Sequence, residues 1–242
     1  MRAGSGRRWN PIDLGQPGAS AQAEYQRRRR RDGVRREAVF GRVLAPLVNV
    51  LRGERASTVA WARGGDGEAR VGTYLTEVVG ARGIVLHDRR IARSRGNIDH
   101  IAVVPTGIWV IDTKRYRARI GVRHPMGWFI TRPSLVVNGR TRTDLVAGVQ
   151  RQRQLVQAAA GPGVDVRPVL CFVDARWNWP ARPFQVDGVT VTWPTPLART
   201  LRGRGALSRR EVEALARRIA RAFPAYAPSG TSQSPTGAWP NR

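Results

Sequence analysis

The chain has 242 residues, 41% of them apolar, enough for one well-buried domain with additions or two small ones. Its single cysteine, Cys171, excludes an internal disulfide and a cysteine-built zinc site. No run reaches the length of a membrane-crossing helix and the first residues lack the apolar core of a secretion signal, so a cytoplasmic protein is expected. Formal net charge is +25, from 42 Lys plus Arg against 17 Asp plus Glu, which favours polyanions: nucleic acid first, an anionic membrane surface second.

Residues 1–21 mix Gly, Pro, Ser and Arg without periodicity and are expected to be disordered. Residues 23–51 are expected to be helical and carry the basic run Arg27, Arg28, Arg29, Arg30 and Arg31, suited either to a solvated face or to a nucleic-acid arm. After a connector over 53–63, Gly64-Gly65-Asp66-Gly67 is expected to open a helix to about Val79, with Val71, Leu75, Val78 and Val79 on one face and Glu68 in its first turn. Residues 83–87 read as a strand and 88–95 as a polar loop. Further strands are expected at 119–123, 128–130 and 135–137, the last followed by the turn Asn138-Gly139.

Residues 141–160 read as a helix ended by Gly161, with Leu145, Val149, Gln152 and Val156 near one stripe and Gln150 on another. The continuous apolar run 166–173 suits an interior, parallel strand and makes Cys171 a core residue rather than a nucleophile. A loop follows over 174–183 with Trp177 and Trp179, then a short strand at 189–193, a helical turn at 197–201 and a helix at 208–223. That last helix opens on the capping box Ser208…Glu211, and residues 225–242 have the composition of a disordered tail. Helix, several strands, helix, strand is the order of an α/β layer with a mixed sheet.

The central stretch is 96–116, GNIDHIAVVPTGIWVIDTKRY: two apolar strands joined at Pro105-Thr106-Gly107. Each strand carries an acid, Asp99 and Asp112, and pairing as a hairpin brings the two near each other. A charge in an apolar run is costly unless it is paired or bound to a metal. Strand alternation sends Asp112 and Lys114 to one side, and Trp109, Ile111 and Thr113 to the other. Of the 42 basic residues Lys114 alone is lysine, which points to a place where a compact, deprotonatable ammonium is wanted. His100 follows Asp99 on the opposite face and is read as a packed residue.

Gly67-Glu68 opening a helix, then Gly96-Asn97-Ile98-Asp99-His100, then Val110-Ile111-Asp112-Thr113-Lys114 and Tyr116, resemble the nuclease-related domain (NERD) of the PD-(D/E)xK superfamily over roughly 61–174. The resemblance implies a restriction-endonuclease-like α/β core, a mixed central β-sheet flanked by helices, here with a basic N-terminal helical extension. It implies Asp99 as the first motif acid, Asp112-Thr113-Lys114 as (D/E)-x-K, Glu68 as the acid of the first core helix and Gln150 as a polar residue of the helix after the sheet. This chain has Asp112 where many members have Glu, one methylene shorter. Mg²⁺ or Mn²⁺ is the implied cofactor, held by Asp99, Asp112, the Thr113 backbone carbonyl and, directly or through water, Glu68. Lys114, its pKa lowered beside the metal, would orient or deprotonate the attacking water, or stabilise the pentavalent phosphorus electrostatically.

The domain division expected from these features is a basic N-terminal extension at 1–58, the nuclease-related domain at 59–205, a C-terminal helix at 206–225 and a tail at 226–242. A metal-dependent nuclease acting on DNA rather than RNA is the leading expectation, with Arg27–Arg31 and Arg115 as candidate nucleic-acid contacts. A non-catalytic binding or DNA-processing partner module of the same fold is the alternative, and a membrane-surface or scaffold protein using the basic helix is a third class.

Overall fold

The alternating apolar residues of 96–116 build a hairpin, β2 (Asn97–Val104) and β3 (Gly107–Arg115), in the middle of a six-stranded sheet. The structure, a computed structural model, describes residues 12–27, 56–94, 96–124 and 132–227, and for 56–66 the backbone alone. Strand β1 (Ile84–Arg90) lies antiparallel to β2. On the other side β3 pairs in parallel with β7 (Val166–Val173), and β7 in parallel with β10 (Val189–Thr192), whose outer neighbour is the antiparallel β9 (Phe184–Val186). The sheet is thus mixed, and β7, apolar along its length, is the interior parallel strand that its sequence calls for.

Helices cover both faces. On one, Val71, Leu75 and Val79 of α2 (Ala56–Val79) and Leu197 and Leu201 of α4 (Pro194–Leu201) pack on Ala102, Val104, Trp109, Ile111, Val169 and Cys171. On the other, α3 (Thr143–Ala160) and α5 (Arg209–Ala222) bury Val149, Val156, Leu215 and Ile219 against Ile101, Val103, Val110 and Leu170. The α5 helix therefore shares the main core, and its N-terminus carries the expected capping box: the Ser208 side chain accepts from the Glu211 N–H while the Glu211 carboxylate accepts from the Ser208 N–H. Burial pushes the Cys171 thiol up to about 12, in keeping with a core residue.

Four features depart from the sequence expectations. First, α2 begins at Ala56, so residues 56–63 of the stretch expected as a connector are helical and the Gly64–Gly67 run lies inside the helix. Interior glycines cost a helix about 1 kcal/mol each, and Gly67 has a packing use: a Cβ there would stand 2.9 Å from the Cβ of Arg115. Second, β1 runs on to Arg90, through residues expected as loop. Third, a separate four-stranded sheet, β6-β5-β4-β8, forms from Arg140–Thr141, Ser134–Val137, Arg119–Arg123 and Arg176–Trp177. The strand expected at 128–130 lies outside the described residues.

Fourth, residues 12–21, expected to be disordered, are ordered. They form a coil that leads into α1, helical over 19–27, and both are bound to the domain. The Leu14 carbonyl accepts from the His87 N–H at 2.7 Å. From the other end of the chain the Pro224 carbonyl accepts from the Arg90 N–H at 2.9 Å and the Tyr226 N–H donates to the Asp88 carbonyl at 2.9 Å. The two termini thereby satisfy the open edge of β1, which would otherwise be a template for pairing with another chain. Arg89, 1% exposed, ties them together: Nε donates to the Phe223 carbonyl at 2.7 Å, one Nη to the Asp13 carbonyl at 2.9 Å and the other to the Ala220 carbonyl at 3.1 Å. These bonds join segments 76 and more residues apart, which no local sequence pattern can announce.

Candidate active site

The site is built where the central hairpin comes apart. Strands β2 and β3 pair in register from Val104↔Gly107 to His100↔Ile111. The next positions in that register would set Asp99 opposite Asp112 and Ile98 opposite Thr113. Instead the Asp99 carboxylate takes the Thr113 N–H at 2.8 Å, so a side chain replaces the backbone partner and the ladder ends. Asp112 is buried, and its Oδ1 accepts from Lys114 Nζ at 2.7 Å, the i, i+2 spacing placing both on one side of the strand.

Two further acids reach this end of the sheet. Glu68 of α2, 8% exposed, accepts from the Gly18 N–H at 3.1 Å. Asp88 of β1, 1% exposed and at φ 48°, accepts from the Ser20 N–H at 2.5 Å and from Asn97 Nδ2 at 2.7 Å. The turn at Pro17-Gly18 and the first residues of α1 are thus held by two buried carboxylates. Gly72 permits the docking, since a Cβ there would collide with Pro17 and stand 3.0 Å from His100 Cε1.

The carboxylates feel one another. Burial first, then the charges of Asp88 and Asp112, push the Glu68 carboxyl up to about 7, against the opposing influence of the Gly18 N–H and Lys114. Burial first, then Glu68 and Asp112, raise Asp99 well above the usual carboxylate range, with Lys114 and the Thr113 N–H opposing. Asp88 is likewise raised by burial, opposed by its bonds from Ser20 and Asn97 and by Arg89. Burial works against the ammonium of Lys114, but Asp112, Asp99 and the bond to Asp112 outweigh it, so its pKa is raised. In the metal-free chain the acids gathered around this single ammonium hold it protonated.

Behind the acids the two histidines of the β1–β2 pair meet, Nδ1 to Nδ1 at 3.0 Å, with His87 Nε2 at 2.9 Å from Thr76 Oγ1. The Thr76 hydroxyl donates to the Gly72 carbonyl, so His87 donates from Nε2, accepts at Nδ1, and leaves His100 Nε2 as a buried acceptor with no protein partner. Burial pushes His87 down to about 4 and His100 well below its ordinary value, so both are neutral. His100 is packed, as its position on the strand suggests.

Gln150 is turned elsewhere, its Nε2 donating to the Asp187 carbonyl at 2.6 Å in the β9–β10 turn. The α3 side chain that reaches the start of β2 is Gln152, whose Nε2 lies 3.5 Å from the Asn97 carbonyl while its buried Oε1 has no protein partner. Arg115 donates Nε–H to Asp174 at 2.7 Å, and Arg27 is paired with Glu24 at 2.8 Å. Arg28–Arg31 lie outside the described residues. Asp88 and Gln152 are residues that sequence reasoning missed; the one signal for Asp88 is an acid directly after the apolar run Ile84–His87, where the left-handed conformation favours Asp or Asn.

The donor set suits a hard divalent cation: Glu68, Asp99 and Asp112 offer carboxylate oxygens whose mutual repulsion a cation would relieve. Among the described residues no three His, Cys, Asp or Glu side chains form a ready-made metal cage. The Lys114 ammonium on Asp112 supplies the positive charge there.

Residues 63–173 match the family model described as the nuclease-related domain, NERD, a span that runs from α2 through β7 and includes Glu68, Asp99, Asp112 and Lys114. No curated protein and no solved structure matches the chain.

Proposed function

We propose that this chain, which carries a nuclease-related domain over residues 63–173, is a divalent-metal-dependent phosphodiesterase that cuts nucleic acid, DNA in preference to RNA. The observation that carries the reading is the gathering of Glu68, Asp99 and Asp112 with Lys114 at the splayed end of β2 and β3. A binding module has no need of buried acids that raise one another's pKa, because ionising them together destabilises the fold.

Asp99, Asp112 and the Thr113 backbone carbonyl would hold Mg²⁺ or Mn²⁺, with Glu68 as a further oxygen donor. Such an ion would polarise the scissile phosphate and favour ionisation of the attacking water. Asp112, one of whose oxygens accepts from Lys114, would offer its remaining lone pairs to the cation and so hold the ammonium beside it. Lys114, whose protonated form Asp99 and Asp112 favour in the metal-free chain, would donate hydrogen bonds to water and to the charge growing on the phosphoryl oxygens.

The non-catalytic alternative has Lys114 and Asp112 permanently paired, and the 2.7 Å bond between them is the observation that favours it. Incubation with supercoiled, linear and single-stranded DNA and with RNA, under Mg²⁺, Mn²⁺ or EDTA, separates the two. Metal-dependent cleavage that Asp112→Asn abolishes is the expected result. Salt-sensitive binding without cleavage under any metal would leave the binding module.

A further inference from the structure

On the side of the site turned toward α2 lies an open cleft of about 710 Å³, lined by Arg70, Arg115, Arg117, Asp174 and Arg176. Its residues come from α2, the end of β3 and the loop beyond it, the end of β7, and β8. It neighbours the acids along the chain: Arg115 follows Lys114, on the other face of β3, and Arg70 stands two residues beyond Glu68 in α2. Gly67, immediately before Glu68, is the close approach that lets Arg115 pass α2.

Four guanidinium groups thus surround one carboxylate. Asp174 accepts from Arg115 Nε at 2.7 Å and has Arg70 at 3.9 Å. The Arg115 bond, with the charges of Arg115, Arg70 and Arg117, holds its carboxyl below the usual range. Asp174 sits at φ 59°, a left-handed conformation that costs a non-glycine residue about 1 kcal/mol or more. The cleft keeps three net positive charges, in a geometry where guanidinium forks suit phosphate oxygens.

Beyond Arg176, Trp177 and Trp179 have opposite surroundings. Trp177 is packed among Phe172, Phe184 and Trp193, whereas Trp179 is 93% exposed. Three positions along the chain from Arg176, this exposed indole supplies an aromatic face to go with the charge, the combination that holds single strands.

We infer that this cleft takes the sugar–phosphate backbone of a single nucleic-acid strand, with Arg70, Arg117 and Arg176 on phosphates and Trp179 stacked on an unpaired base. Asp174 is the built-in anion that keeps Arg115 and Arg70 drawn together until a phosphate replaces it. The cleft's place beside the cut bond rests on the nuclease proposal above; strand binding does not.

Binding of the full chain is measured in EDTA by fluorescence anisotropy, using a labelled single strand and a hairpin duplex of equal length across a salt series. Arg70→Ala with Arg117→Ala should weaken single-strand binding about tenfold or more and flatten the log–log salt slope by about 1.4, roughly 0.7 for each phosphate that is no longer neutralised. Arg210→Ala with Arg221→Ala, exposed on α5 on the opposite face, removes the same charge and should change affinity less than about twofold. Trp179→Ala should weaken the single strand about fivefold or more, leave the duplex unchanged and be largely rescued by Trp179→Phe.

If the α5 pair weakens binding as much as the cleft pair, the cleft is not the site. If Trp179→Ala affects both substrates equally, or neither, the single-strand assignment falls. Unchanged binding in the cleft variants together with metal-dependent cleavage would refute this inference and leave the nuclease proposal intact. The expected binding losses without any cleavage would do the reverse.

Discussion

Glu68→Gln should stabilise the metal-free protein, and should do so only above the pH at which a free glutamate ionises. Glu68 is 8% exposed and its carboxyl is raised from 4.5 to about 7, first by burial and then by Asp88 and Asp112. Each pKa unit corresponds to about 1.4 kcal/mol, so holding the ionised side chain in the fold costs on the order of 3 kcal/mol. The folded state binds the extra proton between pH 4.5 and about 7, so wild-type stability is greatest below that window and falls as pH rises through it. Glutamine has no charge to bury, and its carbonyl can still accept from the Gly18 N–H. Urea unfolding in EDTA, for both proteins at about pH 4 and about pH 8, reads the effect directly. The variant's advantage should be larger at the higher pH by roughly 1–3 kcal/mol, and added Mn²⁺ should reverse it by stabilising the wild type alone. Equal advantages at both pH values would show that Glu68 is not held in an unfavourable charged state, and the electrostatic basis of the site would fail with it.

Mn²⁺ affinity should climb as pH rises through about 7, because Glu68 must lose its proton before it can serve a cation, and calorimetry in two buffers should show proton release. A pH-independent affinity would remove Glu68 from the donor set. Arg89→Lys keeps a buried charge but loses the fork that reaches three carbonyls, and should cost about 2–3 kcal/mol in urea unfolding; a loss under about 0.5 kcal/mol would mean those bonds do not hold the termini. Ser208→Ala breaks the capping box of α5 and should cost about 1 kcal/mol; a change near zero would count against that cap.

The hairpin and its acids are legible in sequence because they rest on local rules. Period-two alternation sets the faces of β2 and β3, Pro105-Thr106-Gly107 sets the turn, and D-x-K places Asp112 and Lys114 together. The parallel strand β7 and the capped helix α5 are legible for the same reason. What escapes depends on distant partners. Residues 12–21 have the composition of a disordered segment, but Gly18 and Ser20 are bound by Glu68 and Asp88, 50 and 68 positions away. The glycine run of α2 reads as a helix boundary until Arg115 is found packed across Gly67. That Asp99 joins Asp112 in favouring the ammonium of Lys114 in the metal-free chain depends on the packing of β2 against β3. Gln150 and Gln152 are two positions apart on one helix, and only the packing of α3 tells which of them reaches β2. The arginine cleft draws on residues from Arg70 to Arg176 and has no linear signature.

The central claim is that the acids and Lys114 cut phosphodiester bonds with a divalent metal, and a cleavage assay comparing wild type with Lys114→Ala tests it most directly. Both proteins are incubated with single-stranded and supercoiled DNA in Mg²⁺, Mn²⁺ or EDTA, with binding in EDTA measured alongside. Cleavage by the wild type that needs metal, falls by about a hundredfold or more in the variant and leaves binding within about twofold is the predicted result. Cleavage by Lys114→Ala at the wild-type rate, or a wild type inert under every metal while its strand binding persists, would contradict it.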